Sequence, residues 1–242
     1  MNAIEIRNLT KKYGKPVAVD SLSLDIKEGE LFSLLGVNGA GKTTTIKMLS
    51  CLTIPDSGDA FLLKKSIKQE PDEVKKLIAV SPQESAVAPN LSARENLLLM
   101  AGVHGFSKEE ASKKAEELSL TFGLSEILEK KTKILSGGWK RRLSIAMALI
   151  CEPKILFLDE PTLGLDVLAR AELWDIIRAL KGKVTVILTT HYMEEAEALS
   201  DNIAIMKNGT LIAVGTADEL KQKAGAQKFE EAFITLVKEV KQ

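Results

Sequence analysis

The sequence predicts a mixed α/β fold with a parallel-sheet core, an N-terminal antiparallel β subdomain and an inserted α-helical subdomain. Three observations carry that prediction. Short alternating apolar runs dominate residues 3–35, helix-capping patterns mark residues 86–149, and a strand, helix, strand order returns after Pro153. With 242 residues and 45% hydrophobic content, the chain has enough apolar side chain to bury a core. We divide its single domain into a β-rich core (1–85 and 150–216), a helical insertion (86–149) and a C-terminal helix (217–242).

Residues 3–9 and 22–26 alternate as half-buried strands do, and Glu28-Gly29 marks a turn before the apolar strand 31–35. Residues 43–52 suit a helix, the stretch from Pro55 to Gly58 breaks it, and residues 59–63 and 78–80 are strands flanking a charged segment. Ser92 with Glu95 and Ser107 with Glu110 form two capping boxes, each satisfying backbone N–H groups that a helix start leaves without partners. Behind the second box, Ala111, Ala115, Leu118 and Phe122 share one helical face, and Gly123 ends it. Residues 155–158 and 184–189 read as strands around a helix whose buried face is Ala169, Leu173, Ile176, Ile177 and Leu180, an order that implies parallel pairing. Residues 203–206 and 211–214 flank Asn208-Gly209, a hairpin signal. In the tail, Phe229, Ala232, Phe233, Leu236, Val237 and Val240 recur at helical spacing.

Lysine plus arginine equals aspartate plus glutamate, 33 each, so no global field draws the chain to nucleic acid or to an anionic bilayer. Cys51 and Cys151 have no C-x-x-C spacing, and with His104 and His191 as the only histidines there is no zinc-ligand pattern; a reduced cytosolic chain is expected. Glu5, Arg7, Lys11 and Lys12 interrupt any secretion signal, and no apolar run approaches the length of a membrane span. A role at a membrane would require another subunit to cross it.

The stretch Gly36-Val37-Asn38-Gly39-Ala40-Gly41-Lys42-Thr43 satisfies G-x-x-x-x-G-K-[ST] between an apolar strand and a helix, the setting this phosphate loop demands. Its glycines let successive N–H groups, with Asn38 and Ala40 completing the cradle, turn inward around phosphate oxygens at a helix N-terminus. Lys42 directs charge to the β and γ phosphates, Thr43 offers its hydroxyl to Mg2+, and Thr44 holds an inner phosphate. The expected ligand is ATP with Mg2+, on a P-loop NTPase core. Downstream, the apolar strand 155–158 runs into Asp159-Glu160, which a parallel sheet would set beside that loop. Neighbouring residues on a strand face opposite ways, so the two carboxylates should have different jobs. Asp159 suits the magnesium shell, and Glu160 then orients and deprotonates the attacking water. Read alone, the pair is equally two solvated acids opening a turn before Pro161; the phosphate loop decides between the readings.

The segment Leu135-Ser136-Gly137-Gly138 resembles the signature sequence of ATP-binding cassette (ABC) ATPases. Tyr13 stands where that family has an adenine-stacking aromatic, Gln83 at its switch loop, Gly164-Leu165-Asp166 at its D-loop and His191 at its switch histidine, so the resemblance spans nearly the whole chain. It implies two nucleotide-binding domains, identical or paralogous, facing head to tail, with ATP on one phosphate loop covered by Ser136, Gly137 and Gly138 of the other. It also implies that His191 contacts the γ-phosphate and positions water with Glu160, that Gln83 touches magnesium and water, and that Asp166 reaches toward the opposite phosphate loop. Trp139 departs from the family's usual glutamine, and either alters the contact near the opposite nucleotide's sugar or simply packs.

Residues 191–197 and the tail stripe are similar to the exporter branch that handles drugs, lipids, polysaccharides or sodium. The resemblance thus implies a cytoplasmic ATPase subunit, peripheral on the inner face of the cell membrane, docked through its helical insertion and residues 83–90 to a separate transmembrane permease. The rival is a soluble ABC ATPase acting on DNA, chromosomes or ribosomes. Such relatives typically carry a long coiled-coil insertion or two cassettes; neither is visible, and no nucleic-acid partner is expected. A nonhydrolytic nucleotide sensor is a third reading, which Glu160 argues against.

Overall fold

A computed structural model describes residues 1–239. Its strands before the main helical segment are β1 (Asn2–Lys12), β2 (Val17–Lys27), β3 (Leu31–Leu35), β4 (Ser57–Leu62), β5 (Lys65–Ser66) and β6 (Ile78–Ser81). After it come β7 (Ile155–Asp159), β8 (Thr185–Thr190), β9 (Asn202–Lys207) and β10 (Thr210–Gly215). One sheet is antiparallel with order β2-β1-β4-β5; the other has order β10-β9-β3-β8-β7-β6, in which β9, β3, β8, β7 and β6 pair in parallel. Every residue of β3, β7 and β8 is buried, as expected of strands covered on both faces.

The side chains of β7 divide between two cores by the two-residue period of a strand. Ile155 and Phe157 join Ile4, Ile6, Leu24 and Ile46 in the core toward the antiparallel sheet, whereas Leu156 and Leu158 join the core built with the helices. Fully burying each such side chain is worth roughly 1.5–3 kcal/mol. A one-residue slip would exchange the two sets, so packing pins the register and with it the position of Asp159.

The helices are α1 (Lys42–Leu49), α2 (Pro71–Leu77), α3 (Ala93–Val103), α4 (Lys108–Thr121), α5 (Gly137–Leu149), α6 (Val167–Arg178), α7 (Met193–Leu199), α8 (Ala217–Lys223) and α9 (Phe229–Glu239). Both capping boxes form: Glu95 N donates to Ser92 Oγ at 3.1 Å while Ser92 N donates to Glu95 Oε2 at 2.6 Å, and Ser107 and Glu110 repeat the exchange. Ala111, Ala115 and Phe122 are buried, with Leu118 packed partly against them. The Asn208-Gly209 turn joins β9 to β10 with φ of +49° and +80°, the paired positive angles a tight hairpin needs.

The charged segment between β4 and β6 holds β5 and α2, which opens with Pro71 at its first position. Three expectations need correction. The helix after the phosphate loop stops at Leu49 instead of residue 52: Ser50 Oγ donates to Ile46 O at 2.8 Å and Cys51 takes φ +57°. Leu180 is buried but lies beyond the end of α6. The single C-terminal helix expected over 217–242 is instead α8 and α9, separated around Gly225, where φ is +63°. Phe229, Ala232, Phe233 and Leu236 are buried along α9 and Val237 is half-buried, whereas Val240 lies outside the described residues.

Asn96 of α3 connects this helical segment to the loop that follows β6. Its side chain is fully buried, accepts from Ala88 N at 2.7 Å and donates to Ala88 O at 3.2 Å and Ser92 O at 2.8 Å. Thr132 Oγ1 donates to the same Ala88 carbonyl at 2.7 Å. Because a buried group stripped of its partner bears its full desolvation cost, Asn96→Leu should destabilise the chain by about 1–3 kcal/mol. Urea unfolding measures this; an unchanged midpoint would contradict it.

Candidate active site

Four parallel strands end along one edge, and the chain leaves each of them toward the same cleft. The register pairs Leu35 with Thr190, Thr189 with Asp159, and Leu158 with Ser81. The next residues out are therefore Gly36, His191, Glu160 and the Pro82-Gln83 step, side by side in that order. His191, Glu160 and Gln83 border a cavity of about 430 Å³ lined also by Asn38, Gly39, Ala40, Gly41, Lys42, Thr43 and Thr44.

The phosphate-type loop is held by close backbone contacts. A Cβ on Gly36 would sit 2.5 Å from the Met206 carbonyl oxygen, and one on Gly41, where φ is +102°, would sit 2.5 Å from the carbonyl oxygen of Ala18. Neither position has room for a side chain. Gly209 N, in the β9–β10 turn, donates to Ala40 O at 3.1 Å, so the hairpin buttresses the loop. Helix α1 starts at Lys42 with no side-chain cap and no acidic residue in its first turn, leaving first-turn N–H groups and the positive end of the dipole to an anion. Lys42 Nζ, on a side chain 5% exposed, donates to Gly36 O at 2.7 Å and Val37 O at 3.3 Å and lies 3.5 Å from Glu160 Oε1.

Asp159 and Glu160 do diverge, but for a different reason than strand alternation. Asp159 ends β7 and accepts from Thr43 Oγ1 at 3.1 Å and from Thr189 Oγ1 at 2.5 Å. Glu160 is off the strand with φ +48°, a left-handed conformation costing about 1–2 kcal/mol for a side-chain-bearing residue. It is held there from several sides: its N–H donates to Thr189 O at 3.2 Å and Oγ1 at 3.0 Å, and its carbonyl accepts from Leu163 N at 3.2 Å. The turn swings its carboxylate into the cleft, where His191 Nδ1 lies 2.7 Å from Oε2. Among the described residues no three carboxylate, histidine or thiol groups gather into a metal cage. One hydroxyl and one carboxylate, Thr43 with Asp159, are the hard-oxygen set that suits Mg2+ when phosphates and water supply the remaining ligands.

The other expected residues lie apart from this cleft. Tyr13 is 50% exposed beyond β1, with Lys11 Nζ 5.6 Å from its ring centre. Ser136 and Gly137 are exposed at the start of α5, and Ser136 makes no capping hydrogen bond from its side chain. A Cβ on Gly138 would stand 3.3 Å from Ala169 Cβ, which sets the start of α5 against the start of α6. There Asp166, exposed, caps α6 by accepting from Ala169 N at 2.9 Å. Trp139 packs partly against the helical core with the Arg142 guanidinium 4.9 Å over its ring, which favours its packing role.

Sequence reasoning missed Thr189 and Arg141. Thr189 is visible only once β8 is registered against β7. Arg141 left a signal: on α5 it shares a helical face with the buried Ser144, Ile145 and Ala148. It is 4% exposed, its Nη1 donates to Pro82 O at 2.6 Å, and its Nη2 donates to Gln83 O and, at 3.3 Å, to Glu160 O. Burial pulls its pKa below the ordinary arginine value, while the negative charge of Asp159 acts in the opposite sense. One guanidinium thus clamps the Gln83 loop to the Glu160 turn. Losing charge-assisted hydrogen bonds of this kind costs about 1.5–3 kcal/mol, so in Arg141→Met the amides of the Gln83 loop should exchange with deuterium roughly tenfold to a hundredfold faster. Unchanged protection would contradict the clamp.

The ABC transporter family model matches residues 19–163. The chain is 44% identical over 225 residues to the daunorubicin/doxorubicin resistance ATP-binding protein DrrA of Streptomyces peucetius, covering 93% of this chain and 68% of that protein. Among solved structures, an ATP-binding subunit of an ABC transporter superposes with TM-score 0.86 at 29% identity, over 97% of this chain and 99% of the other. A dimeric ATP-binding cassette in a post-hydrolysis state, bound to ADP and phosphate, superposes with TM-score 0.78 at 30% identity, over 88% and 98%. With the phosphate loop, the Asp159-Glu160 turn and His191 on one sheet edge, the chain belongs to the ABC transporter family as one of its ATP-binding, ATP-hydrolysing proteins.

Proposed function

We propose that two such chains, or this chain and a paralogue, close on ATP and reopen after hydrolysis, driving export through a separate membrane-spanning permease. The observation that carries this reading is the 2.7 Å pairing of Glu160 with His191 opposite Lys42, in a cleft that Ser136, Gly137 and Gly138 of the same chain do not line. ATP lies along the loop, its phosphates against the first-turn N–H groups of α1 and the Lys42 ammonium. Tyr13 offers an exposed ring for the adenine. Thr43 and Asp159 would hold a magnesium ion, which would supply charge neutralisation at the phosphates. Gln83 faces the same cleft, where its side chain would be within reach of a bound ion and the attacking water.

Hydrolysis needs a water aimed at the γ-phosphorus and a group to accept its proton. Glu160 Oε is that acceptor, and His191, donating Nδ1–H to Glu160, keeps the carboxylate aimed and turns its other ring nitrogen to the γ-phosphate. The water oxygen bonds to phosphorus as the bond to the β-phosphate oxygen breaks, giving ADP and phosphate. Lys42 and the loop N–H groups hold the charge that develops. The exposed Ser136 hydroxyl and the bare N-terminal end of α5 are free to cover the γ-phosphate of a facing chain, with Asp166 alongside.

The helical segment 86–149 is the coupling unit in this reading. Leu99, Val103 and Leu120 are exposed on it, apolar side chains suited to a permease contact. At 11, 14 and 13 residues, α3, α4 and α5 do not make a coiled-coil arm of the kind that DNA-acting relatives carry. Among the described residues no helix is long and apolar enough to cross a membrane, which fits a peripheral subunit on the inner face with a separate permease. The drug-resistance role in the DrrA relative's name supports export as the direction.

Lys42→Ala should weaken ATP binding at least tenfold by removing the main positive charge at the phosphates, and equal affinity by titration calorimetry would undo the loop assignment. Glu160→Gln should still bind ATP while hydrolysis falls about a hundredfold to ten-thousandfold, and a normal rate would make the base assignment wrong. From native membranes the chain should co-purify with a polytopic protein. Recovery with ribosomes or DNA instead would overturn the transporter reading.

A further inference from the structure

Behind the Glu160–His191 pair is a carboxyl that the hydrolysis scheme does not use. Glu195, in the first turn of α7, is fully buried. Its Oε1 accepts from Thr162 Oγ1 at 2.7 Å and from Trp174 Nε1 at 3.2 Å. Its Oε2 has no hydrogen-bond partner among the described residues, and the Thr190 hydroxyl, which accepts from Tyr192 N at 2.9 Å, is close beside the carboxyl. Thr162 lies in the turn that leaves Glu160, Thr190 immediately precedes His191, and Trp174 sits on α6, the helix that Asp166 caps. One side chain therefore touches the turn that leaves Glu160, the strand end that precedes His191, and helix α6.

From this geometry we propose that Glu195 is a positioning residue, which clamps the Glu160 turn, the His191 strand end and α6 into the arrangement that hydrolysis requires. The left-handed Glu160 is a strained residue that relaxes unless its flanks are anchored, and the Thr162 bond anchors one flank. The charged groups acting on Glu195 are Glu160 and Arg141. Burial raises its pKa above the ordinary carboxylate value and Glu160 adds to the rise, with the hydroxyl and indole donors opposing. A neutral acid meets the pattern: Oε1 accepts two bonds, and a proton on the otherwise unpartnered Oε2 donates toward Thr190. Glutamine presents the same set, an oxygen that accepts and an amide that donates.

The inference rests on the assignment of Glu160 as base, and the test separates the two. The full chain is assayed for MgATP hydrolysis, with kcat and KM resolved, as wild type, Glu195→Ala, Glu195→Gln and Glu160→Gln. Glu195→Ala should lower kcat about tenfold or more with the ATP KM within about twofold, because the phosphate loop is untouched; Glu195→Gln should restore kcat to within about threefold of wild type. A kcat for Glu195→Ala within about twofold of wild type, or an equal loss in both Glu195 variants, overturns the proposal. Should Glu195→Ala fail to fold, Thr162→Val and Trp174→Phe remove the bonds singly; each should lower kcat about threefold at constant KM, and two unchanged values overturn the proposal. Normal hydrolysis by Glu160→Gln would sink the base assignment instead, whatever Glu195 does.

Discussion

The alignment of β3, β8, β7 and β6 at their C-terminal ends is the constraint from which the site follows. Parallel hydrogen bonding sets Leu35 against Thr190 and Thr189 against Asp159, so loop, histidine and carboxylates emerge on one edge although as many as 155 positions separate Gly36 from His191 in the chain. The two-sided burial of these strands makes the alignment hard to shift, since any slip exposes one apolar set and buries the wrong face of another. Packing energy is thereby converted into catalytic geometry. The same edge explains why Thr189 serves both residues, its hydroxyl donating to the Asp159 carboxylate and accepting from the backbone N–H of Glu160.

Around that edge the fold stores cost locally and compensates it with directed polar contacts. Glu160 occupies a left-handed conformation, Arg141 is a buried cation, and Glu195 is a buried acid. Each would be unfavourable alone. Arg141 is offset by three backbone carbonyls, and the Glu160 backbone by Thr189, Leu163 and Arg141. These contacts tie the Gln83 loop, the Glu160 turn and α5 into one unit, so a displacement of the helical segment is felt at the carboxylate. In the proposed transporter reading, that linkage is what would couple a docked permease to the nucleotide.

Much of this was legible in the sequence where chemistry is local. The phosphate loop needs glycines and a lysine at fixed spacing, the capping boxes need only four consecutive residues, and the Asn208-Gly209 turn needs two. What was hidden depends on contacts between distant segments. Thr189 and Glu195 look like ordinary residues of a strand and an acidic helix until the sheet register and helix packing bring them to Asp159 and Thr162. The divergence of Asp159 and Glu160 was anticipated but attributed to strand alternation, whereas a backbone turn at Glu160 produces it. In the tail, the helix expected over 217–242 covers both α8 and α9, and what it missed is the break between them at Gly225, where φ is +63°.

Ser136 and Gly137 give the account its reach, because they are exposed and lie outside the cleft of their own chain. A site composed of one chain's loop and carboxylates with another's signature segment makes ATP itself the adhesive between copies, and hydrolysis the release. Light scattering of the Glu160→Gln chain with and without MgATP tests this most directly, alongside the double variant Glu160→Gln, Ser136→Arg. The account predicts an ATP-dependent dimer for the first and a monomer that still binds ATP for the second. A Glu160→Gln chain that stays monomeric at saturating MgATP, both alone and mixed with a paralogous cassette, or a double variant that dimerises as readily, would contradict it.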